Sequence, residues 1–315
     1  MSWRKIAALA ILAVLLVLPF AIAGTRYAGY TQHLVVQILL LGMLAMAWDF
    51  TFGFVGMFSF GHAAFFGVAG YVAGILVVHA GLGPWPVVLV LGVMAAGIVG
   101  LGVGYLCSRV GSVAVFLVTF ACAEAIYLLV ISNPLNLTNG DNGLLGVVAG
   151  APFPFDLRNQ RAFYFFAIAM FVCSYLLLNA VIETRFGQVL LAIRDNEERA
   201  RFAGYEVAQY KAVAFGISAG VAGLAGVLTT FHERIASPES LAWTTSGEAV
   251  LFAVVGGTGT LIGPVLGAAV IIVVREILSD HIRSWLIVVG FAYLALIFFL
   301  PGGLYSLIAR KPKAE

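Results

Sequence analysis

Apolar runs of about 20 residues recur along this chain, at about 34–51, 85–106, 112–131, 161–183 and 211–231. A helix rises 1.5 Å per residue, so a run of this length crosses the ~30 Å hydrocarbon core of a bilayer. The charge that would cover a water-facing surface is missing. Only 10% of residues are charged and the mean hydropathy is +1.04, whereas soluble domains carry roughly a quarter. In lipid every backbone N–H and C=O must pair inside the protein, which leaves helices or closed barrels. The runs far exceed the roughly ten alternating residues of a barrel strand. The expected fold is therefore all-α: a polytopic transmembrane helix bundle.

Four more stretches complete the expected spans. Residues 5–23 follow Arg4 and Lys5 and end in Ala21-Ile22-Ala23, in the manner of a signal peptide. The run is longer than a usual signal core and more spans follow, so it reads as an uncleaved first helix. Residues 54–79 succeed the second span at once and are punctuated by glycine. The stretch 247–279 is broken by Gly256-Gly257-Thr258-Gly259-Thr260 and Gly263-Pro264, and reads as a short or re-entrant piece followed by a helix. A last run, about 284–300, stops at Pro301-Gly302-Gly303. One transmembrane domain over 1–315 with eight to ten crossings results. The 36 glycines suit close helix approach. Cys107, Cys122 and Cys173 lie in or beside apolar runs and read as buried thiols, neither disulfide nor metal set. A net charge of +2 gives no nucleic-acid signal.

The basic residues orient the bundle. If 247–279 turns the chain twice, one side holds Arg4, Lys5, Arg109, Arg185, Arg194, Arg199, Arg201, Lys211, Arg310, Lys311 and Lys313. The other side holds Arg26, Arg158, Arg161, Arg234, Arg275 and Arg283. The excess predicts both termini in the cytoplasm. The longest outer loop is then about 132–160, rich in the turn chemistry of Asn133-Pro134 and Thr138–Gly143. The longest inner loop is about 184–210. It carries both signs of charge together with helix-forming Ala, Leu, Glu and Arg. A pair of short amphipathic helices is expected there. A bare connector needs only a few residues, so the segment reads as a docking element for a cytoplasmic partner, with Leu190 and Ile193 as an apolar anchor.

At this loop the sequence resembles a known family. Ala192–Glu197, Ala200, Gly204, Lys211, Ala214-Phe215, Ser218-Ala219 and Ala222–Gly226 are similar to the pattern of LivM-type permeases of branched-chain amino acid ABC importers. Glu198-x-Ala200-x-x-x-Gly204 resembles the motif by which ABC permeases engage their ATPase, with Arg199 in place of its first alanine. Three more stretches resemble family signatures in order: Gly56–Gly67 with Gly70-Tyr71, Glu124 with Thr138–Leu144, and Gly256–Ala268. The resemblance covers most of the chain. It implies a permease subunit in the cell (inner or plasma) membrane, not an enzyme. It also implies a LivH-type second permease, two cytoplasmic ATP-binding subunits and an extracytoplasmic substrate-binding protein. Leucine, isoleucine and valine are the implied cargo, with urea, short amides or another small acid as alternatives. The coupling residues it implies are Arg185, Gly187, Arg194, Asp195, Glu197, Glu198, Ala200 and Gly204.

No cofactor is expected. The glycine-rich runs lack a preceding strand and a Gly-Lys-Ser/Thr, so they are not phosphate loops. Broken backbone at membrane depth is tolerated where it is buried or lines a cavity. That marks Ser59, Gly61, His62, Gly257, Thr260 and Gly263 as candidate path residues, with close helix packing as the alternative. Ionisable groups within spans usually face the bundle interior. Glu124 reads as a structural hydrogen bond or as part of the path, and His62 as a satisfied core histidine or a path residue. No metal site is expected at His62, which lacks a second ligand four residues on. Asp49, near a helix end, is expected to reach water. The five histidines are scattered, which speaks against a membrane-embedded enzyme, and a stand-alone secondary carrier would not need the charged inner loop.

Overall fold

The computed structural model describes residues 13–21, 24, 26–149, 156–281, 290, 293 and 302–308. Ten helices carry the architecture of the described residues: α1 Ala28–Asp49, α2 His62–Val78, α3 Trp85–Cys107, α4 Ser112–Ser132, α5 Gln160–Glu183, α6 Arg185–Asp195, α7 Glu197–Phe202, α8 Val207–Glu233, α9 Trp243–Gly256 and α10 Ile262–His281. The expected all-α polytopic bundle is what forms. Six of these, with α1 continuing through a π-helical turn at Phe50–Phe54, are long and apolar enough to cross a membrane. The 17-residue α2 is a shorter apolar helix. Residues 13–21 are helical. The rest of the expected first span, and the expected span 284–300 with Arg310, Lys311 and Lys313, lie outside the described residues.

Burial separates the helices into a centre and a periphery. In α1 and α8, 72% and 67% of the best apolar window is buried, against 22% in α4 and 28% in α5. Small residues make the centre possible. A Cβ on Gly92, Gly100 or Gly104 of α3 would overlap Val227, Ala219 or Phe215 of α8, so these two helices pack backbone against backbone.

One boundary differs from the sequence expectation. The break between the second and third spans lies at Gly56–Gly61, later than expected, and α2 starts only at His62. The stretch 247–279 does double back, as α9 and α10. With 14 residues, about 21 Å at helical rise, α9 is too short to cross by itself. Outside the helices, β1 Leu144–Leu145 pairs antiparallel with β2 Ile235–Ala236, Leu144 opposite Ala236. This joins the loop after α4 to the link between α8 and α9. Of the three thiols, Cys107 is buried, Cys122 half-buried and Cys173 exposed, so the expectation that all are buried fails for Cys173.

Candidate functional site

The chain leaves helical geometry twice inside the bundle, and the freed backbone groups find partners from distant helices. At the first break, Trp48 Nε1 donates to the carbonyl of Ser59 at 2.6 Å. The amide of Phe60 donates to Thr119 Oγ1 (3.0 Å), that of Gly61 to Ser59 Oγ (3.2 Å), and that of Ala63 to Ser246 Oγ (3.0 Å). Gly61 is required here because a Cβ would stand 2.8 Å from the Thr119 carbonyl.

His62 is fully buried. Its Nε2 lies 2.9 Å from Ser218 Oγ and its Nδ1 3.1 Å from Ser59 Oγ. The Ser218 hydroxyl donates to the carbonyl of Ala47, so it can only accept from His62. Nε2 therefore carries a proton and donates to Ser218, while Nδ1 pairs with the Ser59 hydroxyl. Both ring nitrogens of His62 thus have partners within the chain.

The second break joins α9 to α10. Gly257 adopts φ +111°, a conformation open to glycine but strained for other residues. A Cβ on Gly263 would overlap the Gly257 carbonyl. Thr260 Oγ1 donates to the Gly257 carbonyl (2.8 Å) and accepts from the amide of Gly263 (2.9 Å). The two breaks meet at Asp49. Its side chain, expected from sequence to reach water, is instead fully buried. Oδ1 accepts from the amide of Gly259 (2.6 Å), and Oδ2 from those of Thr260 (3.1 Å) and Leu261 (3.0 Å). Ser59, Gly61, His62, Gly257, Thr260 and Gly263 thus fall in two breaks whose neighbouring segments touch. The sequence singled out both breaks and named Asp49, but put its carboxylate in water and not between them.

Glu124 stands apart from them, half-buried on α4. The structural hydrogen bond expected of it is not made to any described residue.

The expected inner helix pair is α6–α7. Thr184 caps α6, its Oγ1 accepting from the amide of Gly187 (3.4 Å), and Asn196 caps α7 by accepting from the amide of Arg199 (2.8 Å). Gly187 sits on the backbone of Ile182 with no room for a side chain. Gly204 ends α7 with φ +89°. Ala200 is buried with Val189, Ile193 and Val207. Arg185, Arg194, Asp195 and Glu198 are solvent-facing, while Glu197 is half-buried beside Lys211.

The apolar face of the pair turns inward. Leu190 and Ile193, expected to anchor a partner, are buried in this chain. The exposed apolar side chain is Phe202, at 90%. A groove of about 800 Å³ opens between α7 and the α3–α4 turn, lined by Arg109, Glu197, Glu198, Arg201, Tyr205 and Glu206 among others.

At the opposite end of the bundle, the rings of His33 and His232 stack with centroids 4.4 Å apart, and Glu233 lies 3.8 Å from His33. Their potential ligand atoms lie within 4.8 Å of one another. The sequence, which shows these histidines 199 positions apart as 232 − 33, gave no sign of this cluster.

Residues 30–300 match the family described as branched-chain amino acid transport system / permease component. The chain is 25% identical to the high-affinity branched-chain amino acid transport system permease protein LivM of Escherichia coli (strain K12), covering 99% of this chain and 77% of that protein. It is 24% identical to LivM of Salmonella typhimurium (strain LT2) over the same shares. It is also 23% identical to the permease protein LivH of that organism, covering 87% of this chain and 92% of LivH. No solved structure matches the chain. Match and architecture agree, and the chain belongs to the family of permease components of branched-chain amino acid transport systems.

Proposed function

We propose that this chain is one permease subunit of an ATP-binding cassette importer and moves leucine, isoleucine and valine into the cell. The observation that carries the reading is the α6–α7 pair. Its apolar side is already buried in its own chain, yet Phe202 and a mixed-charge rim remain uncovered. An exposed aromatic on a helix pair that also carries charges of both signs suits a protein interface, and the occupant we assign is a cytoplasmic ATPase. The coupling residues are Arg185, Gly187, Arg194, Asp195, Glu197, Glu198, Ala200 and Gly204, of which Gly187, Ala200 and Gly204 shape the pair. The excess of basic residues on this side supports a cytoplasmic position for this end and for both termini.

The path runs beside the two glycine breaks and is completed by a LivH-type second permease, with cargo delivered by an extracytoplasmic binding protein. Glu124 supports a polar neighbour on α4. A carboxylate at membrane depth without a partner among the described residues of its own chain needs water or a second protein. His62 contributes by holding the first break in shape.

The reading is tested by expressing the tagged chain with candidate ATPase, LivH-type and binding-protein subunits and purifying it in detergent. An ATPase is expected to co-purify and to be lost from a chain lacking Arg194–Arg199. Purification of a folded chain without any ATPase, together with uptake that needs no ATP, contradicts it and favours a stand-alone carrier.

A further inference from the structure

A chain of direct contacts runs from the α6–α7 pair to the loop between α9 and α10. Arg194 Nη1, at the end of α6, donates to the carbonyl of Gly53 at 2.6 Å. The arginine stem lies over Gly56, where a Cβ would stand 3.0 Å from Arg194 Cγ. Gly53 belongs to the π-helical turn that extends α1. Its other side rests on the loop, since a Cβ there would come within 2.6 Å of Gly259 Cα and 2.9 Å of Asp49 Oδ1. Asp49, one turn back, holds the amides of Gly259, Thr260 and Leu261.

These three amides immediately precede α10, so the carboxylate stands at the positive end of that helix's dipole. Among the described residues no basic side chain forms an ion pair with Asp49. Its charge is met by the loop amides alone, so the carboxylate and the start of α10 have to move together or lose three charge-assisted hydrogen bonds.

We propose that Asp49 is a positioning residue for transport: through Gly53 it ties Arg194 to the Gly257–Leu261 loop, so that displacement of α6 is passed to α10. This rests on the importer reading above. It differs from simple packing in linking two elements that a transport cycle must move in concert. The end of α6, the π turn and the loop form one body.

Spin labels at Gln188→Cys on α6 and Thr258→Cys in the loop, both exposed positions, report on that body. They are placed in the complete complex with its ATPases, without nucleotide and trapped with vanadate. The expected result is one narrow distance, unchanged between the two states, in a chain with Asp49 intact. In Asp49→Asn the distance should broaden or shift on trapping. ATPase retention and basal hydrolysis should stay within about twofold while uptake per ATP falls about tenfold. A label distance that changes between states with Asp49 intact overturns the proposal, whatever the variant does. Uptake per ATP unchanged in Asp49→Asn also overturns it. Failure of the importer reading is seen separately, as absence of any ATPase from the complex before a residue is changed.

Discussion

Lys211 Nζ and Glu197 Oε2 stand 2.6 Å apart, which ties α7 to the first turns of α8. The lysine side chain is only 6% exposed, whereas Glu197 remains one-third exposed and also accepts from Arg201 at 3.1 Å. Removing the carboxylate strands a buried ammonium, which costs more than losing both partners. Glu197→Ala is expected to destabilise the chain by about 2 kcal/mol, and adding Lys211→Met to recover most of it. Thermal unfolding in detergent of the two single variants and the double variant measures this. Additive losses would contradict it.

Phe202 carries the apolar part of the proposed interface. Truncating a central aromatic anchor costs about 2 kcal/mol or more of binding, roughly thirtyfold in affinity. Phe202→Ala should weaken ATPase binding by that order and leave melting of the isolated permease unchanged, because the side chain is 90% exposed. Leu190→Ala should do the reverse, since Leu190 is buried in the chain itself. Affinity and melting measured on both variants separate the two roles. Equal affinity for Phe202→Ala would remove Phe202 from the interface.

His62→Ala leaves Ser59 and Ser218 without their shared partner in a site closed to water. Ser218 keeps the Ala47 carbonyl and Ser59 keeps the Gly61 amide, so each loses one hydrogen bond, about 1 kcal/mol apiece. A clear drop in melting temperature is expected alongside any loss of uptake. Wild-type melting with abolished uptake would instead make His62 a path residue rather than a brace.

Much of this fold is written locally. The long apolar runs and the capping signals Thr184 and Asn196 depend on neighbours within a few residues, so the helices and the inner pair were legible. Partnerships across the bundle were not. His62 meets Ser218 156 residues away, and Asp49 meets Gly259 210 residues away. No spacing rule joins a carboxylate on one helix to three amides of a glycine loop. The face of the inner pair was legible but its direction was not: Val189, Leu190, Ile193 and Ala200 mark one apolar side, and only packing reveals that it is covered by this chain. Phe202, off that side and beside Arg201, carries a signal in hindsight, being a large apolar residue at a helix end with nothing in sequence to bury it.

Orientation follows from the basic residues and is tested residue by residue. Asp141→Cys, exposed in the loop after α4, should be labelled in intact cells by a membrane-impermeant thiol reagent. Phe202→Cys and Lys313→Cys should be labelled only after permeabilisation. Labelling of Lys313→Cys from outside would place the tail on the other face and contradict the proposed topology.

The central claim is ATP-driven import of branched-chain amino acids. It is measured most directly with the chain, a LivH-type partner, ATPases and binding protein reconstituted in vesicles of defined orientation. Radiolabelled leucine, isoleucine and valine should accumulate against a gradient only when ATP is supplied on the α6–α7 side, and urea should not. Accumulation of urea in place of the amino acids would move the cargo. Accumulation of any cargo without ATP and without the ATPases would contradict the account.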